Sequence, residues 1–239
     1  MTETSISSWV SRAVGEGAAL CFSGSTGSSS PGKSARTIQR PQGWRGPLLS
    51  FPTVRKLNLG CGRDLRPGYV NLDVARIPGM DVVADLEQPL PFRDGTFDEI
   101  ASSHVLEHVR DLIPLLGELA RICRPGGVLR IEVPHLSFFG AYTDPTHKRF
   151  FGYHSFDYFT PEGTYNFYSN LRFRIRKREI RFYWIKNERR VWKSRLLTGL
   201  INLFPLAYER FFCWMLPANE LYFELEVVAD PRRAAATSK

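Results

Sequence analysis

The sequence predicts an α/β fold: a doubly wound, mainly parallel sheet of seven strands, with helices on both faces and a C-terminal antiparallel hairpin. From Val54 onward, short apolar runs alternate with helical patterns, which is typical of a parallel sheet. Three successive runs end in glycine or aspartate, at Gly60, Asp73 and Asp85. Because the carboxyl ends of parallel strands meet at one edge of a sheet, these positions are expected to form a binding crevice.

The parallel part of the sheet is expected to contain five strands, each an apolar run bounded by turn residues. They cover residues 54–59, 69–74, 80–84, 97–102 and 128–133. A helix is expected from His104 to Cys123, because the apolar residues there recur with the period of a helix. The turn-forming run Pro125-Gly126-Gly127 ends this helix.

The second half of the chain departs from the alternating pattern. Residues 134–170 are rich in aromatic side chains and irregular, which predicts a lid or substrate loop. Arg172–Trp184 alternates like a strand but changes phase, which predicts a bulge near Lys177–Glu179. Residues 191–216 predict an apolar helical insertion, and Leu221–Val228 predicts the last strand of the hairpin.

The domain organisation follows from composition. Residues 1–50 are rich in serine and glycine and predict a disordered tail, residues 51–230 predict one domain, and residues 231–239 predict a polar tail. The four cysteines are widely spaced, which predicts reduced thiols in a cytoplasmic protein rather than a disulfide framework or a zinc site.

The net charge of +8 is concentrated in one stretch. Residues 172–195 hold 11 Lys and Arg against 2 Asp and Glu, whereas residues 51–171 hold 12 against 15. This stretch is either an RNA-binding surface or an ordinary solvated strand face. The apolar run after it contains Pro205 and charged residues, so it is not expected to span a membrane. Residues 172–216 are instead expected either to contact an anionic membrane from its inner face, or to pack in the core or a dimer face.

The glycine and aspartate positions indicate either a nucleotide-like ligand or a tight turn with two solvated carboxylates. Gly60 and Gly62 let the backbone approach a bulky cofactor, and Asp73 at the next strand end can accept both hydroxyls of a ribose. A nicotinamide cofactor is disfavoured, because Leu65 occupies the position where its fingerprint requires a third glycine.

At this point the sequence resembles the class I S-adenosylmethionine-dependent methyltransferases, which have a Rossmann-like sheet, and within them the small type 11 group often associated with polysaccharide biosynthesis. Together the matching segments cover about 110 residues, in the order of that family. They are Lys56–Gly62, Val70–Asp73, Asp85–Phe92, Phe97–Ile100, His104–His108, Arg124–Gly127, Val133–His135, Asp144–Phe151 and Ser155–Thr160.

The resemblance implies roles for individual residues around S-adenosylmethionine. Gly60 and Gly62, with Cys61 between them, would line the methionine part, and Asp73 would hold the ribose. The implied adenine contacts are Asp85 and Leu86, and the residues implied near the methionine part from the fourth strand are Ser103 and His104.

The first crossover departs from the family pattern. Only ten residues, Arg63–Leu72, separate Gly62 from Asp73, whereas a parallel crossover usually needs a dozen or more residues and a helix. The first helix is therefore expected to be missing or reduced to a turn.

The five histidines all lie in residues 104–154, which suggests either a residue that acts on the acceptor or a set of hydrogen-bonded structural histidines. His135 and His147 are candidate bases, and Asp144 is a candidate substrate contact. A metal at Asp144 and His147 is an alternative, but no metal is predicted. The expected reaction is methyl transfer from S-adenosylmethionine to an oxygen of a glycan, glycolipid or small molecule. RNA methylation and a non-catalytic interaction module are the alternatives.

Overall fold

The computed structural model describes residues 48–49, 55–163, 171, 173–182 and 191–228. The predictions for most of the N-terminal tail and for the C-terminal tail lie outside the described residues. Leu49 is an exception: it lies inside the predicted tail but is buried and forms a bridge with Phe92. Leu49 thus packs with the described part of the domain, and the predicted domain boundaries remain predictions.

The predicted fold class, a Rossmann-like and mainly parallel sheet of seven strands, is confirmed. The strands are β1 Lys56–Leu59, β2 Val70–Asp73, β3 Val82–Val83, β4 Phe97–Ser103, β5 Cys123–Pro134, β6 Phe173–Arg181 and β7 Glu220–Val227. Their order across the sheet is β3-β2-β1-β4-β5-β7-β6. Strands β1 to β5 pair in parallel, and β7 pairs antiparallel with both β5 and β6, which forms the predicted C-terminal hairpin.

One face of the sheet is apolar and carries the core. Successive side chains in a strand point to opposite faces, and the registers align the apolar positions of neighbouring strands. Leu57 on β1 lies between Val70 on β2 and Ile100 on β4, and all three are buried. The helices and the aromatic region between β5 and β6 contribute their buried side chains to this same cluster.

The opposite face of the sheet is polar. Asn58, Glu99 and Arg130 lie on it, and Glu99 contacts Arg130 at 3.5 Å across the strands. We expected helices on both faces, but in the described part of the chain no helix buries its side chains against this polar face. The short crossover between β1 and β2 and the direct β2–β3 connection explain this, because neither has room for a helix.

The helix between β4 and β5 is shorter than predicted. A 3₁₀ turn covers Leu106–His108, and helix α1 covers Leu112–Ile122 instead of beginning at His104. Pro114 explains the late start, because a proline inside a helix would clash with the carbonyl four residues earlier. Pro114 therefore lies in the first turn of α1, where the missing N–H has no consequence.

The predicted lid is partly a piece of the core. Within residues 134–163, Phe151, Phe156 and Phe159 are buried among the side chains of the apolar face. The short helix α2, Gly140–Thr143, presents Tyr142 to solvent, where its ring stacks on that of Phe150 at 4.4 Å. The segment thus closes one side of the core and leaves aromatic rings exposed.

The bulge predicted in the basic strand is present, slightly earlier than expected. The register of β6 against β7 shifts between Ile175 and Lys177, whereas the sequence suggested residues 177–179. The described basic side chains of β6 all lie near carboxylates. Their contacts are Arg174–Glu226, Arg176–Glu226, Lys177–Glu179, Arg178–Asp157, Arg181–Glu132 and Arg181–Glu179. The positive charge of this strand is therefore largely balanced by its neighbours.

The segment after β6 protects the edge of the sheet. Helix α3 covers Val191–Leu203, followed by the short α4, Pro205–Ala207, and a π-helical turn, Tyr208–Phe212. Asn202 accepts a hydrogen bond from the N–H of Ile180 at 2.9 Å and donates to its carbonyl at 2.7 Å. A side-chain amide thus occupies the place of a neighbouring strand, which removes an open edge.

Replacing Asn202 with alanine is expected to destabilise the protein by about 2 kcal/mol, because it leaves two backbone groups of the edge strand unpaired. Thermal and urea unfolding measure this change. Leu203→Ala is the matched control, since Leu203 is exposed on the same helix and its removal should change stability by less than about 0.5 kcal/mol. Equal effects of the two substitutions would show that the amide does not hold this edge.

Candidate active site

The carboxyl ends of the first three strands are tied together by backbone hydrogen bonds. The N–H of Cys61 donates to the carbonyl of Leu72 at 2.9 Å, and the N–H of Ala84 donates to the carbonyl of Asp73 at 3.0 Å. Cys61, Asp73 and the residues after β3 therefore lie along one edge of the sheet, as predicted.

The two glycines after β1 serve different purposes. Both have left-handed backbone conformations, with φ of 60° at Gly60 and 49° at Gly62. A Cβ on Gly60 would lie 2.5 Å from a methyl carbon of Val105, so this glycine allows close packing. A Cβ on Gly62 would meet no atom within 4 Å, so its backbone faces open space.

The carboxylate of Asp73 is fixed by backbone donors. Its Oδ2 accepts a hydrogen bond from the N–H of Gly62 at 2.8 Å, and its Oδ1 accepts one from the N–H of Ala75 at 2.9 Å. A carboxylate oxygen can accept more than one hydrogen bond, so each has capacity for a further donor. Two hydroxyls on adjacent carbons, as on a ribose, match this arrangement.

Two buried asparagines replace the missing first helix. Asn58 on β1 and Asn71 on β2 are direct neighbours, and the side chain of Asn58 donates to that of Asn71 at 3.0 Å. Asn58 also donates to the carbonyl of Asp64, and Asn71 accepts from the N–H of Arg66 at 2.9 Å. These bonds fold the loop back over the polar face of the sheet.

Sequence reasoning missed these two residues as site determinants. A signal was present in the sequence, because each asparagine interrupts an apolar run. Asn58 lies two residues before Gly60, and Asn71 lies two residues before Asp73. A buried amide requires partners, and the short crossover joins the two strands that carry these asparagines.

The expected adenine contacts lie next to a cleft. Asp85 accepts a hydrogen bond from the N–H of Glu87 at 2.9 Å, which shapes the turn after β3. A cleft of about 290 Å³ borders Leu86 and extends to Pro114 and Glu118 on the α1 side.

The end of β4 carries a charged histidine. Ser103 donates to Glu132 at 3.0 Å, and the next residue, His104, has a left-handed backbone with φ of 55°. The His104 ring lies between Glu220, at 2.9 Å, and Glu107, at 3.5 Å. Burial lowers the pKa of His104, but the interactions with both carboxylates outweigh it and raise the pKa to about 10. His104 is therefore an imidazolium at neutral pH.

Cys61 does not supply a reactive side chain. Its thiol is buried, and burial raises its pKa to about 11, with the negative charge of Asp73 acting in the same direction. The thiol is protonated at neutral pH, so the contribution of Cys61 is confined to its backbone.

His135 occupies a structural position. Its ring is completely buried, and its Nδ1 accepts the N–H of Ser137 at 3.1 Å. Its Nε2 therefore carries the proton and donates to Glu209 at 3.2 Å. These contacts join the end of β5 to the π-helical turn, and the complete burial argues against a role as a base.

His147 and Asp144 lie close together, as their spacing suggested. The distance from His147 Nε2 to Asp144 Oδ2 is 4.0 Å. Burial raises the pKa of Asp144, but hydrogen bonds from the side chain and backbone of Thr146 outweigh it and lower the pKa. Asp144 is thus a weak base, and the roles of both residues toward an acceptor remain predictions.

Comparisons with known proteins agree with this geometry. Residues 57–131 match the family model described as a methyltransferase domain. They include the glycines after β1, Asp73 and the end of β4. This segment is a class I methyltransferase domain of the type 11 group. S-adenosylmethionine is the cofactor of such domains.

Curated relatives of the methyltransferase domain match over short stretches. The human protein "Arginine-hydroxylase NDUFAF5, mitochondrial" is 36% identical over 98 residues, covering 33% of this chain and 28% of the relative. The "Demethylmenaquinone methyltransferase" of Renibacterium salmoninarum is 33% identical over 76 residues, covering 31% of this chain and 32% of the relative. The chain thus spans about a third of the length of each relative.

The solved structures that the chain resembles include one bacterial and one archaeal protein. The YcgJ protein of Bacillus subtilis has 14% identity and a TM-score of 0.48, over 76% of this chain and 94% of that one. An S-adenosylmethionine-dependent methyltransferase of Archaeoglobus fulgidus has 19% identity and a TM-score of 0.45, and the match covers 74% of this chain and 88% of that one.

The residues of the methyltransferase domain fit its cofactor in chemical terms. Gly62 opens toward free space, and each carboxylate oxygen of Asp73 can accept a further hydrogen bond, such as one from a ribose hydroxyl. The asparagine pair holds the shortened crossover against the sheet, at the place where the family has a helix.

Proposed function

We propose that this chain transfers the methyl group of S-adenosylmethionine to a hydroxyl oxygen of a glycolipid. The observation that carries the proposal is the pairing of Asp73 with the backbone of Gly62 at 2.8 Å beside open space, inside a segment that matches the methyltransferase family. Bound there, S-adenosylmethionine supplies an electrophilic methyl group on a positively charged sulfur.

The contribution of the chain is to bind and align. Asp73 would orient the ribose, and the backbone of Gly60 and Gly62 would line the methionine part. The chain would align an acceptor hydroxyl with the carbon–sulfur bond of the bound cofactor, so that the methyl group passes to the oxygen, the bonding electrons stay on the sulfur, and the hydroxyl proton passes to solvent water. Alignment in line with that bond accounts for a large part of such rate enhancements.

A lipid-linked acceptor is supported by an exposed apolar surface. In residues 196–215, nine large apolar side chains are more than half exposed, and Met215 reaches 81%. We call this set the apolar surface. Its members are Leu196, Leu200, Leu203, Phe204, Leu206, Phe211, Phe212, Trp214 and Met215. Exposed apolar area of this extent is unusual on a free surface and indicates contact with a partner.

The apolar surface is attached to the carboxyl edge of the sheet. Glu209 accepts hydrogen bonds from His135 Nε2 at 3.2 Å and from the N–H of Tyr153 at 2.5 Å. The buried Tyr208 donates to the carbonyl of Leu216 at 2.6 Å. A partner on this surface would therefore sit at the end of the sheet where the acceptor is expected.

We propose an anionic bilayer as that partner. No helix among the described residues is both long and apolar enough to cross a membrane. Helix α3 has 13 residues, about 20 Å in length, against a hydrocarbon core of about 30 Å. Arg195 and Arg210 are exposed beside the apolar surface, and residues 183–195 hold five Lys and Arg against one Glu. Apolar side chains flanked by basic ones suit a segment lying in the interface.

The experiment for the reaction is transfer of radiolabelled methyl from S-adenosylmethionine into a cell extract. The extract is then fractionated into lipid, polysaccharide, RNA and protein. Label in the lipid fraction is the expected result. Label confined to RNA would favour the alternative acceptor, and no label despite measured cofactor binding would contradict a catalytic role.

Vesicle binding tests the apolar surface. The double variant Leu200→Ser with Trp214→Ser is expected to bind phosphatidylglycerol vesicles at least about tenfold more weakly than the unchanged protein. The reason is that it removes apolar side-chain area that the bilayer would bury. Ile113→Ser is the control, since Ile113 is exposed on α1, away from this surface. Unchanged vesicle binding of the double variant would refute the proposal. Loss of a dimer in sedimentation would instead assign the surface to a second copy of the chain.

RNA binding finds less support. The described arginines and the lysine of β6 are paired with carboxylates, which reduces the charge they offer to phosphates.

A further inference from the structure

Glu107 is a buried carboxylate without a hydrogen-bond donor among the described residues. Its side chain is 1% exposed, and neither of its carboxylate oxygens has a hydrogen-bond partner. The nearest cationic atom is His104 Nδ1 at 3.5 Å, but His104 lies closer to Glu220, at 2.9 Å. Because a buried carboxylate in this state is costly, the site requires a further positive partner.

The hydrogen bonds of His108, the residue after Glu107, determine its tautomer. Thr146 Oγ1 donates its single proton to Asp144 Oδ1 at 2.6 Å. The contact of 2.8 Å between Thr146 Oγ1 and His108 Nδ1 therefore has Nδ1 as the donor. A neutral His108 then has its lone pair on Nε2.

A neutral His147 has the same tautomer, which is determined by a different contact. Its Nδ1 lies 2.9 Å from the carbonyl oxygen of Ala141, which can only accept a hydrogen bond. Nδ1 is therefore protonated, and the lone pair lies on Nε2. A second hydrogen bond that fixes the tautomer in this way is the usual support of a histidine that binds a metal.

We propose that Glu107, His108 and His147 bind a divalent transition metal ion, with zinc as the best match. One ligand atom from each residue lies within 4.8 Å of those of the other two. Two imidazoles and one carboxylate are a ligand set that zinc accepts, with a fourth position left for another oxygen. The three residues come from the 3₁₀ turn after β4 and from the segment after β5, which pack together here.

The charges that face this cluster are consistent with a dication. Three carboxylates lie in or beside the cluster: Glu107 belongs to it, Asp144 Oδ2 lies 4.0 Å from His147 Nε2, and Glu220 Oε1 lies 2.9 Å from His104 Nε2. Their negative charges would attract a divalent ion.

The location gives the ion a role in the proposed reaction, and only this role rests on the proposed function. Glu107 contacts His104, which lies at the end of β4 beside the expected methionine position. The fourth position on the metal is open to Asp144, to water or to a hydroxyl of the acceptor. A hydroxyl bound to zinc is more acidic than a free one.

Metal titration of the full chain tests the site directly. The purified protein is stripped with a chelator and titrated with Zn²⁺ in competition with a chromophoric chelator, and Co²⁺ is used as a spectroscopic probe. We expect one equivalent per chain and the absorption of a four-coordinate cobalt centre. His108→Gln and His147→Gln should weaken Zn²⁺ binding at least about 100-fold, and Thr146→Val by about 10- to 100-fold.

The control is His154→Gln. His154 is exposed and bonded to Asp157 at 2.6 Å, outside the cluster, so its replacement should leave metal binding unchanged. A folded wild-type chain that binds less than one equivalent would overturn the proposal, as would an unchanged affinity in His147→Gln. Titration with S-adenosylmethionine in parallel separates failure of the metal site from failure of the proposed methyl transfer.

Discussion

Asp73→Asn is expected to weaken the binding of S-adenosylmethionine by about 100-fold, or about 2.7 kcal/mol. The substitution keeps the shape of the side chain but replaces one carboxylate oxygen with a donor group and removes the charge. One of the contacts from Gly62 and Ala75 is then lost, together with one acceptor for the ribose. Isothermal titration calorimetry measures the change.

The control for this substitution is Asp98→Asn. Asp98 lies near the start of β4, at the opposite end of the sheet from Gly62 and Asp73, and contacts Arg55 and Arg124, so the same chemical change there should leave the affinity within about twofold. Circular dichroism and thermal unfolding show whether both variants keep the fold. An Asp73→Asn protein that is folded and binds as tightly as the unchanged chain would remove Asp73 from the cofactor site.

Asn71→Leu is expected to lower the free energy of unfolding by about 4 kcal/mol. The change removes one of the two acceptors of the Asn58 amide and leaves the N–H of Arg66 without its acceptor. It also removes contacts of Asn71 to the loop carbonyls and to Asp81. Each buried polar group left unpaired costs about 1–3 kcal/mol. Urea unfolding with the slope of the transition measures the loss.

The same variant should also bind S-adenosylmethionine more weakly, because the loop after Gly62 loses its attachment to the sheet. Tyr69→Phe is the matched control, since it removes a hydroxyl that bonds Glu99 at the end of the same loop and should cost about 1 kcal/mol. If Asn71→Leu were as stable as Tyr69→Phe, the asparagine pair would not be what replaces the helix.

The parts of the fold that the sequence could predict are those governed by local periodicity. The strands ending at Gly60, Asp73 and Ser103 follow from apolar runs and the residues that stop them, and the missing first helix follows from the length of one crossover. The predicted start of α1 was wrong, because a helical period alone does not show that Pro114 must lie in the first turn of the helix.

The candidate site was predictable only where a motif lies in one continuous segment. The glycines and Asp73 belong to such segments. The cluster of Glu107, His108 and His147 joins residues about forty positions apart through the packing of two loops, and no local pattern shows that packing. The buried position of His135 is likewise a property of the assembled core, because Glu209 reaches it from 74 residues further along the chain.

The position of β7 between β5 and β6 has a consequence for synthesis of the protein. Both flanking strands precede β7 in the chain, so their facing backbone edges stay unpaired until Val227 has left the ribosome. Unpaired strand edges recruit other chains. Nascent chains that stall before Glu220 should therefore aggregate, and holdase chaperones should associate with this protein mainly between the synthesis of β6 and that of β7.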